Sequence, residues 1–231
     1  MTDLDAHAVV SQEEWIIARK LHLADEKAFT RLRDKLSAER RALPWVRVDK
    51  SYVFDGEHGT QSLADAFDGR RQLIVQHFMY GGDWEQGCPS CSFWTDNLDG
   101  IVVHLNHRDA SFVVIGHAPF PTLAAYRKRM GWMCTWLSSA GSDFNYDFGV
   151  SFDESDTSKN YNYEDNSTDM TETPGFSVFY KNDADEIFHT YSCYSRGLDM
   201  LNSAYHCMDL LPKGRDETAN MSWLRHHDLY D

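Results

Sequence analysis

The chain has 231 residues, 42% hydrophobic and 25% charged, with a formal net charge of −14 at pH 7. This length exceeds the roughly 110 residues of a minimal single-core unit but is compatible with one elaborated globular domain. The acidic balance repels phosphate backbones and anionic lipid, so nucleic acid and membrane surfaces are excluded as partners, and no apolar run approaches the roughly 18 residues of a membrane span.

In chain order, MTDLDAHAVVSQEEW is acidic where a secretory signal is basic and has no long apolar stretch, which predicts a cytoplasmic protein. Ser11 and Glu14 form a capping-box pattern, and Trp15, Ile17, Leu21, Ala24, Ala28, Leu32 and Leu36 recur at helical spacing. A helical arm over residues 1–44, closed by Pro44, is therefore expected, packed on its own domain or on a twin subunit in a homodimer. Trp45 to Phe54 is strand-like, GEHG is a turn, and SLADAF a short helix. Gln72 to Tyr80 is an apolar run interrupted only by Gln76 and His77, as in a central strand covered on both faces. The glycine-rich YGGDWEQG leads from it into a helix starting at Pro89, with Trp94, Leu98, Ile101, Val102 and Leu105 on one stripe.

A strand over Ser111 to Ala118, a helix over Pro121 to Met130 and a strand around Met133 to Ser138 continue an alternation that implies a mainly parallel sheet. Residues 152–173 are polar and acidic and read as a long exposed excursion or hairpin. Strands over Phe176 to Lys181 and Glu186 to Tyr194 and a helix over about Gly197 to Met208 complete the regular part. The division is thus an arm over 1–44, a main α/β domain over 45–211 and an irregular tail over 212–231.

Five cysteines in a chain of this size form no disulfide framework, and only Cys88 and Cys91 are close together. A helix start stabilises a thiolate through its unpaired N–H groups and dipole, which makes Cys88 the nucleophile. Cys91, one turn on, is placed to resolve the mixed disulfide. Pro89 suits the first helical position, where no N–H is needed, and Gly87 permits close approach of a backbone or substrate. No cofactor is called for. No metal site is predicted, because no second CxxC pair exists and His104 and His107 lack a third ligand. Cys134, Cys193 and Cys207 read as structural.

The segment FDGEHGTQSLADAFDGRRQLIVQHFMYGGDWEQGCPSCSFW resembles the entry to thioredoxin-like proteins of the peroxiredoxin and TlpA type. More narrowly, WVRVDKSYVFDG, HFMYGGDW, GCPSCSFWTDN, GSDFNYDFGVSF, FHTYS, GLDMLN and PKGRDE together resemble the DUF899 family, described as predicted dithiol-disulfide oxidoreductases. The resemblance implies a thioredoxin-like fold, a central mixed sheet flanked by helices, extended by the N-terminal helix and the C-terminal tail. It further implies that Pro174 is a cis-proline facing the dithiol, exposing backbone for an extended substrate, and that His77 stands where thioredoxins carry a buried acid that moves protons for the second cysteine. The function expected is exchange between the dithiol and a protein or small-molecule disulfide or thiol. The alternatives are a thiol-dependent peroxidase, although DWEQGCPSC lacks the upstream Pro and Thr of such enzymes, and a non-enzymatic interaction module.

Overall fold

The computed structural model describes residues 6–155, 158–166 and 170–230. Helix α1 spans Gln12–Arg41, with both halves of the Ser11–Glu14 capping box formed. It buries none of its residues, so the expected packing of the arm on its own domain does not occur. Its end touches the domain where the Arg40 guanidinium lies 4.9 Å from the Tyr191 ring centroid.

The single strand expected over 45–54 is two, because the chain crosses the sheet between them. β1 (Val46–Arg47) pairs with the late strand β10 (Ile187–Tyr194) at one edge, while β2 (Val53–Gly56) forms a hairpin with β3 (Gly59–Ser62) at the other. A short 3-10 turn, Asp65–Phe67, replaces the expected helix. Next come β4 (Gln72–Phe78), α2 (Pro89–Leu98), α3 (Val102–His107), β5 (Ala110–Gly116), α4 (Phe120–Met130) and β6 (Thr135–Ser138). A short α5 (Phe144–Asp147) was not foreseen in GSDFNYDFGVSF. The excursion carries a hairpin, β7 (Lys159–Tyr161) with β8 (Glu164–Asn166), and its residues 156–157 and 167–169 lie outside the described residues. β9 (Gly175–Lys181) leads into β10. The last expected helix breaks at Asn202, whose side chain accepts the Tyr205 N–H as the N-cap of α6 (Ser203–Met208), leaving Ser195–Leu201 as a 3-10 turn.

The eight-stranded sheet has the order β1-β10-β9-β4-β5-β6-β2-β3. β4, β5 and β6 are parallel and β9 is antiparallel to β4, so the sheet is mixed at its centre. A β-α-β unit completed by an antiparallel β9–β10 hairpin beside its first strand is the thioredoxin-like arrangement. Both crossovers put their helices on one face, where Phe78, Trp94, Leu123, Tyr126, Trp136 and Tyr205 form one core. The opposite face holds a second core around Phe54, Phe67, Val75, Phe144 and Phe179. β4 serves both faces, and this explains its unbroken apolar texture.

Trp136 is 1% exposed, its ring centroid 5.4 Å from that of Trp132 and 4.8 Å from that of Phe78. Removing a fully buried indole leaves a cavity the sheet cannot close. Trp136→Ala is expected to lower unfolding free energy by about 3–5 kcal/mol in a denaturant titration.

Candidate functional site

The dithiol lies where β4 delivers the chain to α2. Cys88 is the N-cap of α2 and Pro89 its first residue; the Cys88 Sγ accepts the Cys91 backbone N–H at 3.5 Å. Residue 79, just past β4, ties both cysteines down. Its carbonyl accepts the Cys88 N–H at 3.0 Å, and its own N–H donates to the Cys91 Sγ at 3.4 Å. Behind them, Ser92 Oγ donates to the Cys88 carbonyl at 2.8 Å and shares a 2.7 Å hydrogen bond with Tyr126 Oη.

Both cysteines are free thiols, Cys88 partly exposed and Cys91 buried. A hydrogen bond from the Cys91 thiol pulls the Cys88 pKa down to about 7 against the opposing effect of burial, helped by the backbone N–H groups of Cys91 and Ser90 and by the Ser90 hydroxyl. Burial pushes the Cys91 thiol up, as do the Cys88 sulfur beside it and, more weakly, the Glu172 carboxylate. The two thiols thus divide into an ionisable nucleophile and a protonated partner.

Gly87 has a role other than admitting a substrate. A Cβ there would stand 2.7 Å from Tyr126 Cε1 and 2.8 Å from Phe78 Cε1, so its bareness lets the loop press onto the aromatic core. Its carbonyl accepts a 2.8 Å hydrogen bond from Nε2 of buried His226 in the C-terminal tail.

Pro174 borders the same cavity as Cys88 and Cys91, and its preceding peptide bond is trans, not the cis bond that the resemblance implies. The flanking backbone is not exposed for a substrate either. Thr173 N–H donates to the Val150 carbonyl at 2.8 Å, and the Pro174 carbonyl accepts the Tyr161 hydroxyl at 2.8 Å.

His77 requires a second correction. Residues 76 and 77 both border the cavity, but side chains alternate across a strand, and the one sent toward α2 is that of Gln76. Gln76 Nε2 donates to the Cys91 carbonyl at 2.9 Å, and Thr95 Oγ1 donates to Gln76 Oε1 at 3.1 Å. The His77 ring turns to the other face, stacks on Phe144 and Phe148, and bonds Ser177 Oγ at 2.7 Å. A buried line of hydrogen bonds continues through Ser192 Oγ to His189 Nε2.

Three residues near the dithiol were missed in the sequence. Gln76 was legible as the strand neighbour of His77, whereas Glu172 and Tyr161 lie in an excursion whose polarity suggested solvent. Glu172 is 3% exposed; it accepts hydrogen bonds from Ser151 Oγ and from the ring of His117 at 2.9 Å, and it raises the His117 pKa. Tyr161 is pushed up to about 12, chiefly by burial. Cys134 and Cys193 are buried structural thiols, and Cys207 is exposed. Among the described residues, no three of His, Cys, Asp and Glu converge as metal ligands, and no helix is long and apolar enough to cross a membrane.

A family model for a bacterial protein of unknown function, DUF899, matches residues 4–230. The chain belongs to the DUF899 family. No curated protein matches this DUF899 chain. Among solved structures it is similar to peroxiredoxin Q of Xanthomonas campestris, at 10% identity, covering 71% of this chain and 94% of that one with a TM-score of 0.48. It is also similar to the peroxidoxin BcpB of Mycobacterium tuberculosis, at 12% identity, 71% and 96% coverage and a TM-score of 0.47. A third, the yeast mitochondrial 1-Cys peroxiredoxin, shows 13% identity, 70% and 75% coverage and a TM-score of 0.44.

Two outcomes follow from the titrating groups. Alkylation of native DUF899 protein by iodoacetamide, mapped by mass spectrometry, should modify Cys88 with a rate that rises through a midpoint near pH 7, while Cys91 stays unmodified. Burial lowers the His77 pKa from 6.5 to about 3, so the folded state disfavours its proton. The stability this neutral ring confers is complete above pH 6.5 and is lost as pH falls toward 3, at up to about 1.4 kcal/mol per pH unit. In His77→Phe, the pH slope of unfolding free energy over that window should shrink by roughly one proton.

Proposed function

We propose that this protein is a thiol-disulfide oxidoreductase in which Cys88 attacks and Cys91 resolves. The observation that carries the reading is the unequal environment of the pair: a partly exposed cysteine lowered to about pKa 7 at a helix N-cap, and a buried thiol raised well above its usual value one turn on. In the forward half-reaction, the Cys88 thiolate displaces one thiolate from a disulfide and becomes a mixed disulfide. Cys91, on losing its proton, attacks the Cys88 sulfur, releases the second thiolate and leaves a Cys88–Cys91 disulfide. The substrate gains two electrons and two protons, which an external dithiol later restores to the protein.

Pro174 belongs to this reading as a wall of the site, and His77 as a core residue beneath it. The free cysteines suit a reducing, cytoplasmic setting. The reading extends to a homodimer joined through α1, whose Trp15, Ile17, Leu21, Phe29 and Leu32 stand exposed along a helix that buries nothing in its own chain. Sedimentation equilibrium showing only monomer mass at tens of micromolar would remove the dimer from the proposal.

Cys88→Ser should abolish exchange, because a hydroxyl supplies no comparable nucleophile at neutral pH. Cys91→Ser should still attack and then stall, accumulating a mixed disulfide visible by intact mass without reductant. Native-like turnover in Cys91→Ser sinks the two-thiol mechanism. Oxidation of Cys88 by hydrogen peroxide faster than by any disulfide would assign a peroxidase instead.

A further inference from the structure

An extended polypeptide is normally held beside a sheet by unpaired backbone groups, main-chain hydrogen bonds supplying the affinity. At this dithiol the backbone available for such pairing is the segment entering β9, and the chain already pairs with itself along it. Thr171 O accepts the Phe152 N–H at 2.9 Å, Glu172 pairs with Ser151 as an antiparallel bridge, and Thr173 N–H donates to Val150 O. Pro174 has no N–H, and its carbonyl is held by Tyr161 Oη, which also accepts the Ser195 N–H at 2.9 Å. Gly175 is already paired within β9, to Tyr194 on one side and His77 on the other. The chain's own residues 150–152 and the β7–β8 hairpin thus occupy the place a polypeptide substrate would need.

What remains open to Cys88 is a cavity of about 620 Å³. Trp94, Tyr161, Met170, Phe176, Tyr205 and Met221 give it a mainly apolar wall. Pockets of a few hundred to a thousand Å³ with apolar walls and a few polar groups are the size and character of small-molecule sites.

Resting on the exchange reading above, we infer that the disulfide reduced by Cys88 is a low-molecular-weight one, admitted to this cavity beside the β7–β8 hairpin, and that polypeptide disulfides are excluded. The electron balance is that of the exchange already described: one small disulfide becomes two small thiols as the Cys88 and Cys91 thiols become a disulfide, and an external dithiol resets the protein.

The test uses the full chain, reduced and freed of reductant, mixed with either hydroxyethyl disulfide or insulin. Formation of the Cys88–Cys91 disulfide is followed by alkylation and mass spectrometry. Dithiothreitol against the same two oxidants gives their intrinsic reactivity ratio. Relative to that ratio, the protein should prefer hydroxyethyl disulfide by at least ~100-fold, a discrimination set at the transition state of the first attack. In Tyr161→Phe, which frees the Pro174 carbonyl and the Ser195 N–H, the preference should fall by ~5-fold or more as the hairpin loosens its hold on the entry. A preference within ~3-fold of that of dithiothreitol overturns the substrate class and leaves the exchange reading standing. If neither oxidant closes the disulfide although Cys88 alkylates readily, both the inference and the exchange reading fall.

Discussion

Residue 79 is the constraint on which the site depends. Its carbonyl takes the Cys88 N–H and its N–H reaches the Cys91 sulfur, so the two peptide groups flanking one residue at the end of the central strand hold both cysteines. Strand position thereby sets sulfur position. Because β4 is hydrogen-bonded on both sides, to β5 and to β9, the anchor belongs to the most constrained part of the sheet. With the loop so held, the first free N–H groups of α2 converge on Cys88, and helix geometry carries Cys91 back beneath the surface. The difference in acidity between the thiols follows from these placements.

Two layers surround this centre. On the α2 side, Gln76, Thr95, Ser92 and Tyr126 satisfy the carbonyls and hydroxyls around the dithiol, so the buried polar groups next to Cys91 are paired. On the entry side, Tyr161 joins the hairpin to Pro174 and Ser195, and Glu172, braced by Ser151 and His117, lies against the sheet. Glu172 is a buried carboxylate whose charge reaches Cys91, and its bonds to a hydroxyl and an imidazole make its burial tolerable.

Much of this was legible in the residues. Period and texture revealed β4, α2, β5, α4, β9 and β10, because each has a strong local pattern, and the Cys-Pro start of α2 reads directly as an N-cap followed by the first helical residue. The face to which His77 points was not legible from an unbroken apolar run. A strand buried on both sides gives no alternation by which to tell the faces apart, and Gln76 and His77 are adjacent polar residues with opposite fates. The 152–173 excursion misled for a different reason: Lys159, Tyr161 and Glu172 are polar, and only tertiary partners such as the Met170 carbonyl, Ser195 and His117 make them suited to the interior. The pairing of the segment before Pro174 with residues 150–152 is likewise announced by no local pattern.

The bond between His226 and the Gly87 carbonyl links positions 139 residues apart. At ordinary rates of synthesis, the ribosome needs on the order of 10 s to travel from the dithiol loop to that histidine. The last strand of the sheet ends at Tyr194, so all the strands are made before residue 226 and the sheet around the cysteines can form while the loop still lacks its tail clamp. A newly made molecule therefore passes through a stage in which its two cysteines are in place but the loop that carries Cys88 is not yet fastened, and the reducing power of its surroundings during that stage bears on whether it matures as a dithiol.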